Sequence, residues 1–216
     1  MTLVQHELAP EIIWFTPSEE LLDDPPKTLT QIHQTSFSKG MLGSYYGVDA
    51  DNEQAGVFIM TWKSLEHHQA FMQDESYIDF IMPVMDSMVG PGDIQQMRLR
   101  DFQELEIALT APVTAFIYIT VRPLHDRGYE LEPLVNMIRS ELKTVPGYLG
   151  SSWGPSIADS NVEIGIVGWR SLRDRLNATR GRLSPLYTRI RELSSKLEIR
   201  YATLSHHTIV DLSRMH

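Results

Sequence analysis

Two adjacent histidines, His67 and His68, precede Phe71, Met72 and Tyr77 in a stretch that reads as a helix opening at Ser64. A serine after an apolar strand pattern suits a helix N-cap. On such a helix His68 shares a face with Leu65 and Met72, three and four residues away, and that face looks toward a sheet. Imidazole titrates close to working pH, so His68 is the leading candidate for a general acid or base. Its plainer role is to cap or pack the first helical turn, and the same holds for His67. Tyr77 falls in the short break after the helix, where a phenol can donate a hydrogen bond to a developing enolate or phenolate. It is equally a packing residue. Asp74 and Asp79 flank it and either orient a base or sit as solvated loop carboxylates. His33, beside Ile32 on an earlier helix, can enter the same pocket from another wall. Tyr45, Tyr46, Met82, Met85 and Met88 offer an adaptable apolar wall for a flat aromatic ligand, although methionines so spaced also suit a plain core.

Several chemistries are excluded. The chain has no cysteine, which removes disulfides, thiolate nucleophiles, Cys-ligated zinc and iron–sulfur clusters. Neither a P-loop nor a G-x-G-x-x-G is present, which argues against nucleotide cofactors. His67-His68 and His206-His207 lack metal-ligand spacing, because adjacent side chains diverge on helix and strand alike. Gly150-Ser-Ser-Trp-Gly154 satisfies the hydrolase pattern G-x-S-x-G, but a hairpin turn follows it where that motif needs a helix. A net charge of −9 argues against nucleic acid. The longest apolar run, Val113 to Val121, is too short to span a bilayer, and MTLVQHELAPE lacks the basic start and apolar core of a signal peptide. The expectation is a cytoplasmic protein.

The elements that must hold these residues are set by a repeat. Gly40-Met-Leu-Gly-Ser-Tyr-Tyr-Gly47 returns as Gly147-Tyr-Leu-Gly-Ser-Ser-Trp-Gly154, and the register continues to Leu65 and Leu172 with nine of 26 positions identical. Chance gives one or two, so the chain is one module used twice. The expected domains are 1–106 and 107–216. The first carries 5 Lys/Arg against 18 Asp/Glu and the second 14 against 10. Such asymmetry arises by drift of two solvated surfaces or specifies which half meets which.

Each module reads strand, helix, strand, strand, helix, strand. The first copy has strands at 11–16, 41–47, up to Trp62, and about 94–102, with a helix at 27–38. The second has strands at 113–121, 148–153, up to Trp169, and about 197–206, with a helix at 129–143; Pro17 and Pro123 suggest an offset of 106 for the opening strand. Ser64 and Ser171 are the expected caps of the later helices. This is the ferredoxin-like β-α-β-β-α-β unit. Strands such as Val57-Phe-Ile-Met60 are apolar at consecutive positions and want cover on both faces. The expected fold class is therefore α+β, two tandem ferredoxin-like modules packed sheet to sheet as an intrachain α+β barrel.

With Gly40, Gly43, Tyr46, Gly47, Trp62, Ser64, Leu65, Glu66, His68, Phe71, Met72 and Tyr77 in this spacing, the chain resembles the dimeric α+β barrel superfamily. Within it, the chain is similar to antibiotic-biosynthesis-monooxygenase-like proteins, the fungal two-module type in particular. The resemblance covers nearly all of the first copy and about two-thirds of the second. That superfamily holds cofactor-free quinone-forming monooxygenases, polyketide cyclases, haem-degrading and haem-dependent enzymes, chlorite dismutases and members without known activity. The resemblance puts a recurring histidine at His68, a pocket between its helix and the sheet, and Tyr77 where related polyketide cyclases carry a catalytic histidine. Some cofactor-free monooxygenases of the superfamily have a pocket tryptophan, as Trp62 would be; its presence in both copies argues for packing, and their associated asparagine has no clear partner here.

These readings converge on an enzyme without an organic cofactor, acting on a small hydrophobic aromatic or polyketide-type substrate in secondary metabolism. His68, Tyr77 and His33 are the catalytic candidates. Tyr46, Trp62, His67, Phe71, Met72, Met82 and Met85 are the substrate-binding ones. In the expected mechanism His68 takes a proton from an acidic phenol or β-keto carbon and Tyr77 stabilises the oxyanion, followed by cyclisation, with or without dehydration, or by oxygenation. The alternatives are a non-catalytic ligand-binding or stress-related protein, and a haem protein with His33, His67 or His68 as axial ligand. His68, Phe71 and Glu66 correspond to Arg175, Ala178 and Arg173 in the second copy, so one competent pocket is expected, in copy one. A monomeric pseudo-dimer or a homodimer both suit the duplication. Thr208 to His216 has no repeat equivalent.

Overall fold

The computed structural model describes residues 8–25, 32, 39–99 and 102–209. His33 and, apart from Ile32, the helix expected at 27–38 lie outside them. The described residues form two compact units, one drawn from residues 8–99 with 205–209 and the other from 102–204.

The first unit has strands β1 (Ala9–Phe15), β2 (Met41–Asp49), β3 (Gly56–Trp62) and β4 (Asp93–Gln96), in the order β4-β1-β3-β2. Antiparallel pairing sets Ala9 against Trp62, Glu11 against both Met60 and Gln96, and Tyr46 against Phe58. Since side chains alternate across a strand, Ala9, Glu11, Tyr46, Phe58, Met60, Trp62 and Gln96 share one face. All seven residues of β1 and of β3 are buried, as the consecutive apolar residues Ile12–Phe15 and Val57–Met60 require. The helices with described bounds here are α1 (Glu19–Asp23), α2 (Leu65–Met72) and α3 (Tyr77–Asp86).

The second unit repeats the pattern. Its strands are β5 (Val113–Val121), β6 (Tyr148–Pro155), β7 (Val162–Trp169) and β8 (Ser194–Ile209), in the order β8-β5-β7-β6. Both orders are the 4-1-3-2 arrangement of the ferredoxin-like unit. Its helices are α4 (Phe102–Leu109), α5 (Glu132–Leu142, entered through the π-turn Arg127–Leu131), α6 (Leu172–Arg180) and α7 (Ser184–Leu193). Leu131, Leu134, Val135, Ile138 and Leu142, spaced as a helical stripe, pack on Ile117, Ile119, Val167 and Trp169. Helix α4 packs with β6 and β7 and is tied to the sheet where the Thr114 hydroxyl donates to the Ala108 carbonyl at 2.8 Å. Helix α4 runs across the position 106/107, the compact units divide at 100/101, and β8 continues past residue 204. Among the described residues no helix is long and apolar enough to cross a membrane.

Local detail repeats too. Ser64 and Ser171 cap α2 and α6, accepting from the His67 and Asp174 backbone amides at 3.3 and 3.1 Å. A register shift falls between Met41 and Gly43 in one copy and between Tyr148 and Gly150 in the other. Opposite Trp62 stands Ala9, and opposite Trp169 stands Val113, so the opening strands correspond at an offset of 104 rather than 106. Gly40 and Gly147 have φ of +100° and +84°. A Cβ at Gly147 would lie 2.4 Å from the Asp174 Cβ, whereas one at Gly90, with φ +78°, would meet nothing within 4 Å. Gly90→Ala is expected to lose only the conformational term, about 1–3 kcal/mol. Gly147→Ala adds a clash and should unfold at a clearly lower urea midpoint than Gly90→Ala; equal midpoints would mean the corner relaxes freely.

Candidate functional site

Helix α2 positions the central residue. Once Ser64 starts the helix, its inward stripe is Leu65, His68 and Phe71, spaced by three. Met72, expected on that stripe, is 43% exposed, since it lies a further 100° around the axis. His68 is only 4% exposed. Its ring stacks on that of Trp62, with centroids 4.3 Å apart and planes 13° from parallel. Gln96 Nε2 on β4 lies 3.0 Å from His68 Nδ1, and Glu11 Oε2 on β1 lies 3.8 Å from His68 Nε2.

Glu11 is the residue the sequence reading missed. It looked like the first residue of an apolar strand; the strand begins at Ala9, and Glu11 is buried within it. Burial pushes its carboxyl from 4.5 up to about 7, against a smaller lowering by the Trp62 indole. That indole N–H is buried and makes no hydrogen bond of normal geometry, so its effect on Glu11 is a close polar contact short of a hydrogen bond. Burial likewise drives His68 from 6.5 down to about 4. Despite their proximity the two are not an ion pair. Between about pH 4 and pH 7 both are neutral, and above that range only Glu11 is charged.

An aromatic group surrounds this pair. Phe71 and Phe80 lie 5.8 and 6.1 Å from Trp62, centroid to centroid, and Tyr77 meets Phe71 edge to face at 5.3 Å. Tyr77 is the first residue of α3 and only partly buried; burial, and secondarily the charge of Glu11, raise its phenol pKa. The corner before it is held by Asp74, which accepts from the Ser76 backbone amide at 3.0 Å and from the Ser76 hydroxyl and Lys39 Nζ at 2.6 Å each. The Lys39 bond, then those from Ser76, hold that carboxyl far below the usual range. Asp79 is exposed.

Other expected site residues lie elsewhere. His67 Nδ1 is 2.8 Å from the Ser64 hydroxyl, and its Cβ would be 2.9 Å from a Cβ at Gly40, so the ring belongs to the helix cap. Tyr46 is buried on the His68 face beside Phe58, while Tyr45 points the other way and stacks on His206 at 4.5 Å. Met82 and Met85 are 45% and 60% exposed, because Phe80 and Val84 occupy the inward stripe of α3. Of the expected substrate-binding residues, Tyr46, Trp62 and Phe71 are therefore the buried ones, and Trp62 and Phe71 are those that border His68.

The second module shows what the fold needs without this chemistry. By strand register Glu11 corresponds to Ala115 and Gln96 to Tyr201; along the helices His68 corresponds to Arg175. There the Arg175 guanidinium sits 4.7 Å over the Tyr201 ring, and Trp169 is buried as Trp62 is. An open cleft of about 410 Å³ does exist in that unit, lined by residues 120–125, Asp159, Asn161 and Ser195, at the ends of its strands. Ser152 of the G-x-S-x-G match is buried in mid-strand opposite Ile166, with no nucleophile elbow.

Among the described residues no three His, Asp or Glu side chains group to hold a metal ion. A haem iron also does not fit His68, whose two nitrogens face Gln96 and Glu11 and whose ring is covered by Trp62.

No protein-family model and no curated protein matches the sequence. Solved structures do. A candidate monooxygenase from Fusobacterium nucleatum subsp. nucleatum shares 9% identity over 93% of this chain and 94% of its own, with a TM-score of 0.70. An anthrone oxidase-like protein shares 14% over 95% and 94%, with a TM-score of 0.68. A chlorite dismutase variant of Candidatus Nitrospira defluvii shares 12% over 92% and 91%, with a TM-score of 0.59. At these identities the likeness is one of fold: this chain shares the α+β fold of these proteins.

Proposed function

We propose that the first module is an enzyme site that deprotonates a small aromatic or polyketide-type substrate without a bound organic cofactor. The observation that carries this is the buried Glu11–His68 pair, present in one copy of a duplicated fold and replaced by Ala115 and Arg175 in the other. Burying an acid inside a strand is unfavourable. The second copy has Ala115 at the equivalent position, and its own buried strand acid, Glu163, is paired with Arg127 at 2.8 Å. Glu11 has no such cation among the described residues, so packing does not explain it. Groups whose environments pull their pKa values to new positions are the usual mark of acid–base sites.

Tyr77 stands at the margin of the aromatic group and donates its hydroxyl to the oxyanion formed when the substrate loses its proton. Tyr46 and Phe71 supply apolar surface. The names of the structural neighbours, candidate monooxygenase and anthrone oxidase-like protein, favour oxygen as the acceptor. An anthrone-type carbon acid would then give its proton to the pair and its electrons to dioxygen, yielding one quinone and one water per dioxygen consumed.

The test is dioxygen uptake during turnover of an anthrone. The expected result is one dioxygen per quinone, with kcat lowered about 10²-fold or more in His68→Ala. Product without uptake would move the reaction to cyclisation. Unchanged ligand affinity in His68→Ala, with no reaction of any substrate, would make this a binding protein.

A further inference from the structure

Which member of the pair carries the proton is decided by the partner on the far side of His68. Gln96 presents its amide nitrogen to Nδ1 at 3.0 Å. An amide NH₂ only donates, so Nδ1 is the acceptor and the ring of a neutral His68 has its hydrogen on Nε2. That hydrogen faces Glu11 Oε2. With Trp62 stacked on the ring and 96% of the residue's surface covered, as its 4% exposure requires, His68 offers no free lone pair to a substrate.

We propose that Glu11 is the group that takes and returns the substrate proton, while His68, fixed as its Nε2–H tautomer by Gln96, serves as a neutral donor that orients the Glu11 carboxylate. This rests on the enzymatic reading above but reverses the roles within it. In the step itself a substrate C–H or O–H bond breaks, its proton forms an O–H bond on Glu11, and the electron pair stays on the substrate. His68 Nε2–H turns toward the charge on Glu11 before the transfer. The groups facing Glu11 are His68 from α2, Tyr77 from α3, Trp62 from β3 and Gln96 from β4. Of these only His68 and Tyr77 titrate, and neither carries a compensating positive charge at neutral pH. The carboxyl therefore sits where a base is most useful, close to the working pH. The second module supports linking the three residues: where Glu11 becomes Ala115, the histidine and the glutamine are also gone.

The experiment is ring ¹⁵N NMR of the full chain between pH 5.5 and 8.5, with an infrared titration of buried carboxyl groups. The expected result is His68 as the Nε2–H tautomer throughout, without titration, and a protonated carboxyl band that disappears through neutral pH and is missing in Glu11→Gln. In Gln96→Leu the tautomer should redistribute while the carboxyl band remains. An Nδ1–H tautomer, or a His68 that titrates in this range, overturns the proposal even if the enzyme turns over. If the spectra are as stated and no substrate reacts, the proton assignment holds and the enzymatic reading falls. Where turnover is found, Glu11→Gln should lower kcat/KM about 10²-fold or more and remove the neutral limb of its pH profile; retention of that limb also overturns the proposal.

Discussion

Glu11→Gln is expected to make the folded chain more stable above pH 7, by up to about 3 kcal/mol. The carboxyl has a folded pKa of about 7 against 4.5 ordinarily. Its raised value means that stability is full below pH 4.5 and is lost as pH rises toward 7, where the charge must be carried inside the protein. Glutamine keeps the shape and removes the charge. His68 works in the opposite sense. With its value lowered from 6.5 to about 4, the stability linked to it is full above pH 6.5 and is lost as pH falls. Across the shared window the two slopes offset each other in the wild-type chain. In Glu11→Gln the rise owed to His68 should stand alone between about pH 4 and pH 6.5. Urea unfolding at pH 5 and pH 8 measures both effects. A variant less stable than wild type at pH 8 would show that Glu11 is charged and well compensated in the fold. Gains of this kind on removing a functional group are the usual trade of stability against activity.

Trp62→Ala should cause the largest loss, about 3–5 kcal/mol, the range for emptying a fully buried aromatic site. Trp62 is 0% exposed and contacts His68, Phe71 and Phe80. Trp169→Ala, at the same place in the second copy and 2% exposed, should cost a similar amount. The two differ in what they release. Opening the wall beside His68 lets water reach the imidazole and should return its pKa toward 6.5, whereas Trp169→Ala should leave His68 untouched. Chemical denaturation gives the losses, and histidine NMR separates them. Equal effects on His68 would mean the shift has a cause other than local burial.

The duplication made most of the fold legible. It aligned the hairpins, placed both caps and set Trp62 opposite Trp169, since those features depend on local sequence alone. Faces were harder. Leu65 and His68 were placed inward correctly, but Met72 and the α3 methionines were not, because a helix with many apolar residues leaves the choice of inward stripe to packing. Tyr45 and Tyr46 look alike in sequence and separate only through strand alternation. Glu11 was hidden by an error of two residues in the strand offset: at 104 rather than 106 it falls opposite Ala115, and a charged residue facing an alanine in a duplicated strand would have drawn notice. Gln96 needed the β1–β4 pairing, which no local pattern reveals. Helix α4 has no local signal in the repeat, whose register runs only from Gly40 to Leu65 and from Gly147 to Leu172.

The last strand changes how this protein must be made. Residues 102–204 form the second unit as one continuous stretch, but the first unit also takes up the end of β8 from residue 205, with His206 stacked on Tyr45 of β2. During synthesis the second unit has all its parts once residue 204 has emerged, before His206 can reach Tyr45. The half that carries Glu11 and His68 is translated first but completed after the other, so a chain stopped at residue 204 would deprive the site-bearing module of the His206 contact while sparing the second unit.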